Sequence, residues 1–145
     1  MFFKWKDNFS VGIEVIDKQH RMFLEQLNSY HEKISEHLDS KTVAEFIDNL
    51  KAYVNIHFRY EEALMREHNY PQYYAHHQHH QYFVSRIIKF EESANKGDVR
   101  SIESMMEFMR DWFINHILQV DKEFVLSLSK GELQPPVRRY PPKRR

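Results

Sequence analysis

The sequence predicts an all-α domain: an up-down-up-down antiparallel four-helix bundle with an N-terminal arm and a basic, Pro-rich C-terminal tail. Apolar residues recur at helical spacing through stretches of twenty or more residues that contain neither glycine nor proline. The chain has only 3 glycines and 5 prolines, and Pro135, Pro136, Pro141 and Pro142 all fall in its last eleven residues. Short polar segments separate the periodic stretches, and helices of this length joined by short loops pack as antiparallel neighbours. A chain of 145 residues suits one domain. The bundle is expected over residues 1–131, with residues 132–145 as a disordered tail.

The first helix is expected from about Asp17, read as its N-cap, to about Leu38. Before it, an irregular arm offers Trp5, Phe9, Val11 and Ile13 to the bundle. The second should start near Thr42, where Thr42 and Glu45 have the spacing of a capping box, and end near His68. Pro71 suits the first turn of the third, since its missing N–H is no loss there. Asn95-Lys96-Gly97 is a C-terminal stop. Asp98 is read as the cap of the fourth helix, which reaches about Lys130 before Gly131.

Stepping by three and four along each segment gives four core stripes. Helix one contributes Ile13, Ile16, His20, Phe23, Leu27, Tyr30 and Ile34. Helix two contributes Val43, Ile47, Leu50, Val54, His57, Glu61 and Leu64. Helix three contributes Tyr73, His76, His80, Phe83, Ile87, Phe90 and Ala94, and helix four Ile102, Met106, Met109, Phe113 and His116. Every stripe carries a histidine where an apolar residue belongs, and the second also carries a glutamate. Burying these groups is costly unless they are paired or bind metal. In an up-down-up-down bundle the start of one helix lies beside the end of the next, so all six groups converge at one end of the core. The pairs His57/Glu61 and His76/His80 are four residues apart, about 40° around the axis and about 6 Å along it, a spacing that suits chelation.

There is no cysteine among the residues, which removes disulfides, thiolate metal sites and cysteine nucleophiles together. Imidazole with carboxylate points to iron, manganese, zinc or copper, not to magnesium or calcium. Five imidazoles with carboxylates exceed the needs of one zinc, so a two-metal site is the better count. The formal net charge of zero hides an asymmetry: residues 138–145 hold five of the 21 basic residues and no acid. The remainder has 16 basic against 21 acidic residues and offers no footprint for nucleic acid. The tail RRYPPKRR suits an anionic membrane or acidic partner less well than a solubilising role. The opening MFFKWKDNF has no apolar core of signal-peptide length and no stretch approaches a membrane span, so a cytoplasmic location is expected. His31, His37, His68, His77 and His79 are expected at the surface or rim, and Met105, Met106 and Met109 in the core.

The segments W…F-S-V-G-I…I-D-K-Q-H, H-F-R-Y-E-E-A-L-M, Y-P-Q-Y-Y-A-H-H-Q-H-H and H-I-L-Q-V-D together resemble the hemerythrin family, specifically its single-domain bacterial members, from Trp5 to about Leu128. The resemblance implies two iron ions (Fe2+/Fe3+) with an oxo or hydroxo bridge. One would be held by His76, His80 and His116, the other by His20 and His57, with Glu61 and Asp121 bridging. Asp121 is off the stripe, since five residues turn it about 140° from His116. A single π-type turn would bring both inward, and such bulges favour functional sites. Phe23, Phe58, Trp112 and Leu118, each within four residues of an implied ligand, are candidate walls of an oxygen pocket.

The resemblance implies reversible dioxygen binding for transport, storage or delivery to an oxygen-consuming enzyme, and no catalytic residues. The alternatives are an oxygen, redox or nitric oxide sensor acting through a partner, and a di-iron enzyme consuming peroxide or nitric oxide. Di-iron oxygenases favour Glu-rich ligation with Glu-x-x-His motifs, which this chain lacks.

Overall fold

The computed structural model describes residues 2–129, and every regular element among them is a helix. The bundle consists of α1 (Glu14–Glu36), α2 (Ser40–Glu67), α3 (Tyr73–Asn95) and α4 (Ile102–Asn115). The fourth helix runs on through a π-helical segment, His116–Asp121, into α5 (Lys122–Ser129). The expected stop at Lys130-Gly131 and the expected tail over residues 132–145 lie outside the described residues.

Contacts between the helices show the alternating direction. Tyr30 near the end of α1 donates to Glu45 near the start of α2, while Gln19 near the start of α1 meets His57 far along α2. Lys51 pairs with Glu91 and Glu62 meets His80, so α2 and α3 also run oppositely. His31 of α1 faces Glu103 at the start of α4. No described helix is long and apolar enough to cross a membrane.

The helix starts differ from the sequence reading, each for a local reason. Asp17 lies inside α1, and its carboxylate turns back to the arm, accepting from Ser10 Oγ at 2.6 Å and Val11 N–H at 2.8 Å. The cap of α2 is Asp39, which accepts from Thr42 N–H at 2.9 Å, while Glu45 is drawn away to Tyr30. A residue three before Thr42 reaches the free N–H groups first, so the capping box never forms. Pro71 stands in the turn before α3. Asp98 accepts from Arg100 N–H in a local turn, and α4 begins at Ile102.

The ends of α1, α2 and α3 fall within two residues of the reading. Gly97 (φ +85°) follows α3, with Gly97 N–H bonding to Ala94 C=O and Asp98 N–H to Ser93 C=O. Asn69 (φ +55°) does the same after α2: Asn69 N–H reaches Arg66 C=O and Tyr70 N–H reaches Met65 C=O. Both are Schellman stops, which need a left-handed residue that Gly or Asn adopts most readily. The second also drops Tyr70 onto Met65.

The apolar stripes face inward to form one long core, with Phe46, Phe83, Leu27, Leu50, Met105 and Met106 fully buried. Phe9 and Val11 of the arm join it, with Trp5 and Ile13 packed at its edge. Phe3 is buried as well, held by reciprocal bonds in which Phe3 N–H donates to Asn28 Oδ1 and Asn28 Nδ2 donates to Phe3 C=O. A second, small apolar cluster of Met65, Tyr70 and Phe124 closes one end of the bundle, with Leu64 half-buried beside it. Between these two apolar bodies lies a buried polar cluster, where the core stripes carry their histidines.

Candidate metal centre

Seven polar side chains are buried together: His20, His57, Glu61, His76, His80, His116 and Asp121, none more than 2 % exposed. The four helices supply them from one end, as the stripes require. His20 comes from the second turn of α1, His57 and Glu61 from the far half of α2, and His76 and His80 from the first turns of α3. His116 and Asp121 bound the π segment. There Lys122 N–H reaches back five residues to Ile117 C=O, and the widened turn returns Asp121 to the face that His116 occupies.

The two carboxylates divide the cluster in the same way. Glu61 Oε1 lies 3.4 Å from His76 Nε2, 3.2 Å from His80 Nε2 and 3.5 Å from His116 Nε2. Its Oε2 faces the other side, 3.8 Å from His20 Nε2 and 3.6 Å from His57 Nε2. Asp121 Oδ1 is 2.9 Å from His116 Nε2 and 3.2 Å from His76 Nε2, whereas Oδ2 is 3.0 Å from His20 Nε2. Each carboxylate therefore offers one oxygen to a three-imidazole position and one to a two-imidazole position. Two ligand groups result, Glu61/His76/His80/His116 and His20/His57/Glu61/Asp121, each with its ligand atoms within 4.8 Å of one another.

Apart from His80 Nε2, which meets Glu61 Oε1 with hydrogen-bond geometry, these short approaches are not hydrogen bonds. Nε2 of His20, His57 and His76 and both oxygens of Asp121 have no acceptably directed hydrogen bond, although all are buried. The Nε2 atoms of His80 and His116 face each other at 3.3 Å. Buried polar atoms are almost always paired. Lone pairs that crowd together yet miss one another are aimed at points between them, which is the arrangement cations require. The residues fit a pair of metal ions.

The electrostatics agree. Burial opposes ionisation of Glu61, yet the charge of His57 and the facing imidazoles of His116, His76 and His80 hold it well below the ordinary carboxylate range. Burial and the charge of Glu61 both oppose ionisation of Asp121, and His116 overrides them to hold it far down. Burial would also lower His116, but Asp121 and then Glu61 raise it to about 9. His76 is raised against burial by Asp121 and Glu61, while His57 is lowered to about 3, chiefly by burial. Two buried anions thus demand positive partners. Protons on His116 and His76 can supply that charge, and a cation that takes over must displace them.

The outer nitrogens are held by acceptors that the sequence did not single out. His57 Nδ1 meets Gln19 Oε1 at 2.6 Å, and His80 Nδ1 meets Glu62 Oε2 at 2.7 Å. Glu62 also meets His77 Nδ1 at 2.9 Å, and the two imidazoles hold its carboxyl low despite burial. His116 Nδ1 meets His79 Nδ1 at 2.9 Å. His79, expected as a bystander, is half-buried, and burial followed by the charge of His116 lowers it to about 4. His31, His68 and His77 are half-buried away from the cluster, and His37 is exposed. The signal for Gln19 and Glu62 was available, since each directly adjoins a stripe residue.

Apolar rings enclose the cluster. Phe58 stacks on His80 at 3.8 Å with planes 2° apart, and Trp112 stacks on His116 at 4.5 Å, so both border the three-imidazole side. On the other side Phe113 meets His20 edge-on at 5.2 Å, and Phe23 lies 4.2 Å from Phe113. Tyr53 packs between Phe23 and His57, and burial pushes its phenol up. Leu118 is half-buried at the core edge, while its neighbour Ile117 is fully buried. An open cavity of about 150 Å3 reaches His76 and His79 from the side of Tyr70 and Glu123.

The family model described as the hemerythrin HHE cation binding domain matches residues 11–125, a span that includes all seven residues of the cluster. The chain belongs to the hemerythrin family. A bacteriohemerythrin of Stenotrophomonas maltophilia (strain R551-3) is 34% identical over 120 residues, covering 83% of this chain and 77% of that one. One from Clostridium acetobutylicum is 29% identical over 127 residues, covering 85% and 98%. Among solved structures, one described as wild-type hemerythrin superposes with a TM-score of 0.81 at 26% identity, covering 89% of this chain and 99% of that one. The helical bundle matches that hemerythrin structure, and the family's cation-binding domain accords with the buried imidazole–carboxylate cluster. Membership of the family supports non-haem iron and dioxygen as the chemistry of this chain.

Proposed function

We propose that this chain binds dioxygen reversibly at a bridged pair of iron ions, for transport, storage or delivery. The observation that carries the reading is the unequal division of the cluster: three imidazoles on one side and two on the other, with Glu61 and Asp121 spanning both. His76, His80 and His116 would hold one iron, and His20 and His57 the other. With Glu61 and Asp121 shared, the His76/His80/His116 side would offer five protein ligands and the His20/His57 side four, so the latter would be the side that receives dioxygen. When bound, the two irons supply the pair of electrons that dioxygen takes up and returns.

The residues of this chain do the rest. Gln19 and Glu62 accept at the outer nitrogens of His57 and His80, which keeps their Nε2 atoms bare and oriented inward. Met65, Tyr70 and Phe124 close the end of the bundle, and the long core closes the other side. Phe23, Phe113 and Tyr53 would wall the two-imidazole side. Phe58 and Trp112 would keep water from the three-imidazole side, and Leu118 stands at the edge. Apolar rings that limit the access of water and anions would favour release of dioxygen over irreversible oxidation of the centre. Five neutral imidazoles with two carboxylates also offer less anionic support for turnover chemistry than Glu-rich di-iron sites do.

An anaerobic optical spectrum of the reduced, iron-loaded protein tests this. Admitting air should produce a visible charge-transfer band, and sparging with inert gas should remove it. A spectrum that air leaves unchanged contradicts the reading.

A further inference from the structure

His79 and His116 are joined through matching atoms. Their Nδ1 atoms are 2.9 Å apart, their ring planes differ by 15°, and their centroids are 5.1 Å apart. That centroid spacing is too wide for face-to-face stacking at so short an N···N distance. The two imidazoles therefore lie edge to edge in nearly one plane, where a ring N–H points along its neighbour's lone pair. Trp112 covers both, 4.5 Å from His116 at 11° and 4.7 Å from His79 at 22°. The indole holds the pair coplanar.

Two facing Nδ1 atoms share one proton. Nε2 of His116 faces Asp121 Oδ1 at 2.9 Å and His80 Nε2 at 3.3 Å, inside the cluster. For that nitrogen to bind a cation it must be bare, so the proton of His116 belongs on Nδ1. His79 Nδ1 must then be the acceptor, with the proton of His79 on its outer nitrogen.

We propose that His79 is a positioning residue of the centre: its Nδ1 accepts the Nδ1–H of His116 and so commits His116 Nε2 to the metal. This rests on reading His116 as a ligand. It extends to the α4 side what Gln19 and Glu62 do for His57 and His80, with an imidazole in place of an amide or carboxylate. Partners of this kind set ligand orientation, and losing one typically costs about 10–100-fold in metal affinity.

The test compares His79→Ala with His79→Asn, whose side-chain oxygen can stand near the place of Nδ1. Cobalt(II) is the probe, added to the full metal-free chain. Affinity is read by competition with a chelator, and the ligand ring N–H protons by their paramagnetically shifted, exchangeable resonances. His79→Ala should bind cobalt about 10–100-fold more weakly and lose one shifted N–H resonance to solvent exchange. His79→Asn should recover both. Wild-type affinity and an intact resonance in His79→Ala overturn the proposal, as does an Asn variant no better than Ala when both are as helical as wild type. Failure of wild type itself to take up cobalt overturns the ligand reading, and the role of His79 with it.

Discussion

His116 and Asp121 are five residues apart, yet Asp121 Oδ1 lies 2.9 Å from His116 Nε2 while Oδ2 reaches across to His20. The π segment makes that possible, and it sets Asp121 against imidazoles of both sides of the cluster. In the proposed di-iron reading Asp121 would share both metal positions, whereas His57 would serve one. Asp121→Ala should therefore deplete both positions, leaving well below one metal per chain. His57→Ala should leave about one, held by His76, His80 and His116. Elemental analysis of the two variants after identical loading decides this; equal residual content would mean that Asp121 does not bridge.

Neighbouring histidines on α3 should behave differently. His80 Nε2 faces the cluster, whereas His77 meets Glu62 and stacks on Tyr73, and Glu62 still accepts from His80 when His77 is removed. His77→Ala should keep two irons per chain and the oxygen-dependent spectrum. His80→Ala should lose or scramble the centre. Similar losses in both would put the face of α3 that meets the cluster in doubt.

Most of this was readable in the sequence because one rule governs it. A buried helix face recurs every three or four residues, so His20, His57, Glu61, His76, His80 and His116 announce themselves by breaking an apolar stripe. Asp121 obeys no such rule, because the segment holding it is not α-helical; only the family resemblance pointed there. The outer acceptors were missed for a related reason. Periodicity gives the direction of a side chain from its own axis but not the atom it meets on the next helix, so His79 read as rim although it touches His116. Helix starts were misread at Asp17, Thr42 and Asp98 because short polar residues can bond in more than one local way: Asp39 took the free N–H groups before Thr42, Asp17 turned back to Ser10 and Val11, and Asp98 closed a turn with Arg100. The stop at Gly97 was legible, since a glycine adopts the left-handed conformation most readily; Asn69, which plays the same part after α2, was not singled out.

Asp39 gives a prediction in pH. Thr42 N–H, above all, holds its carboxyl below the ordinary value of 3.8. A group lowered in the folded chain contributes stability that is complete above its unfolded value and is lost as pH falls through the folded one. Asp39→Asn keeps an acceptor for Thr42 but does not titrate. The thermal midpoint of wild type should therefore fall more steeply than that of Asp39→Asn once pH drops below 3.8. Parallel curves would show that the charge of Asp39 contributes nothing to the start of α2.

Dioxygen uptake by the reduced, iron-loaded protein tests the central claim most directly. A bridged pair with one open position should bind one dioxygen per two irons, and evacuation or inert gas should return nearly all of it unreduced over repeated cycles. Uptake without return, or continuous consumption of dioxygen with a reductant and an organic substrate, would contradict the carrier reading and make this chain an enzyme.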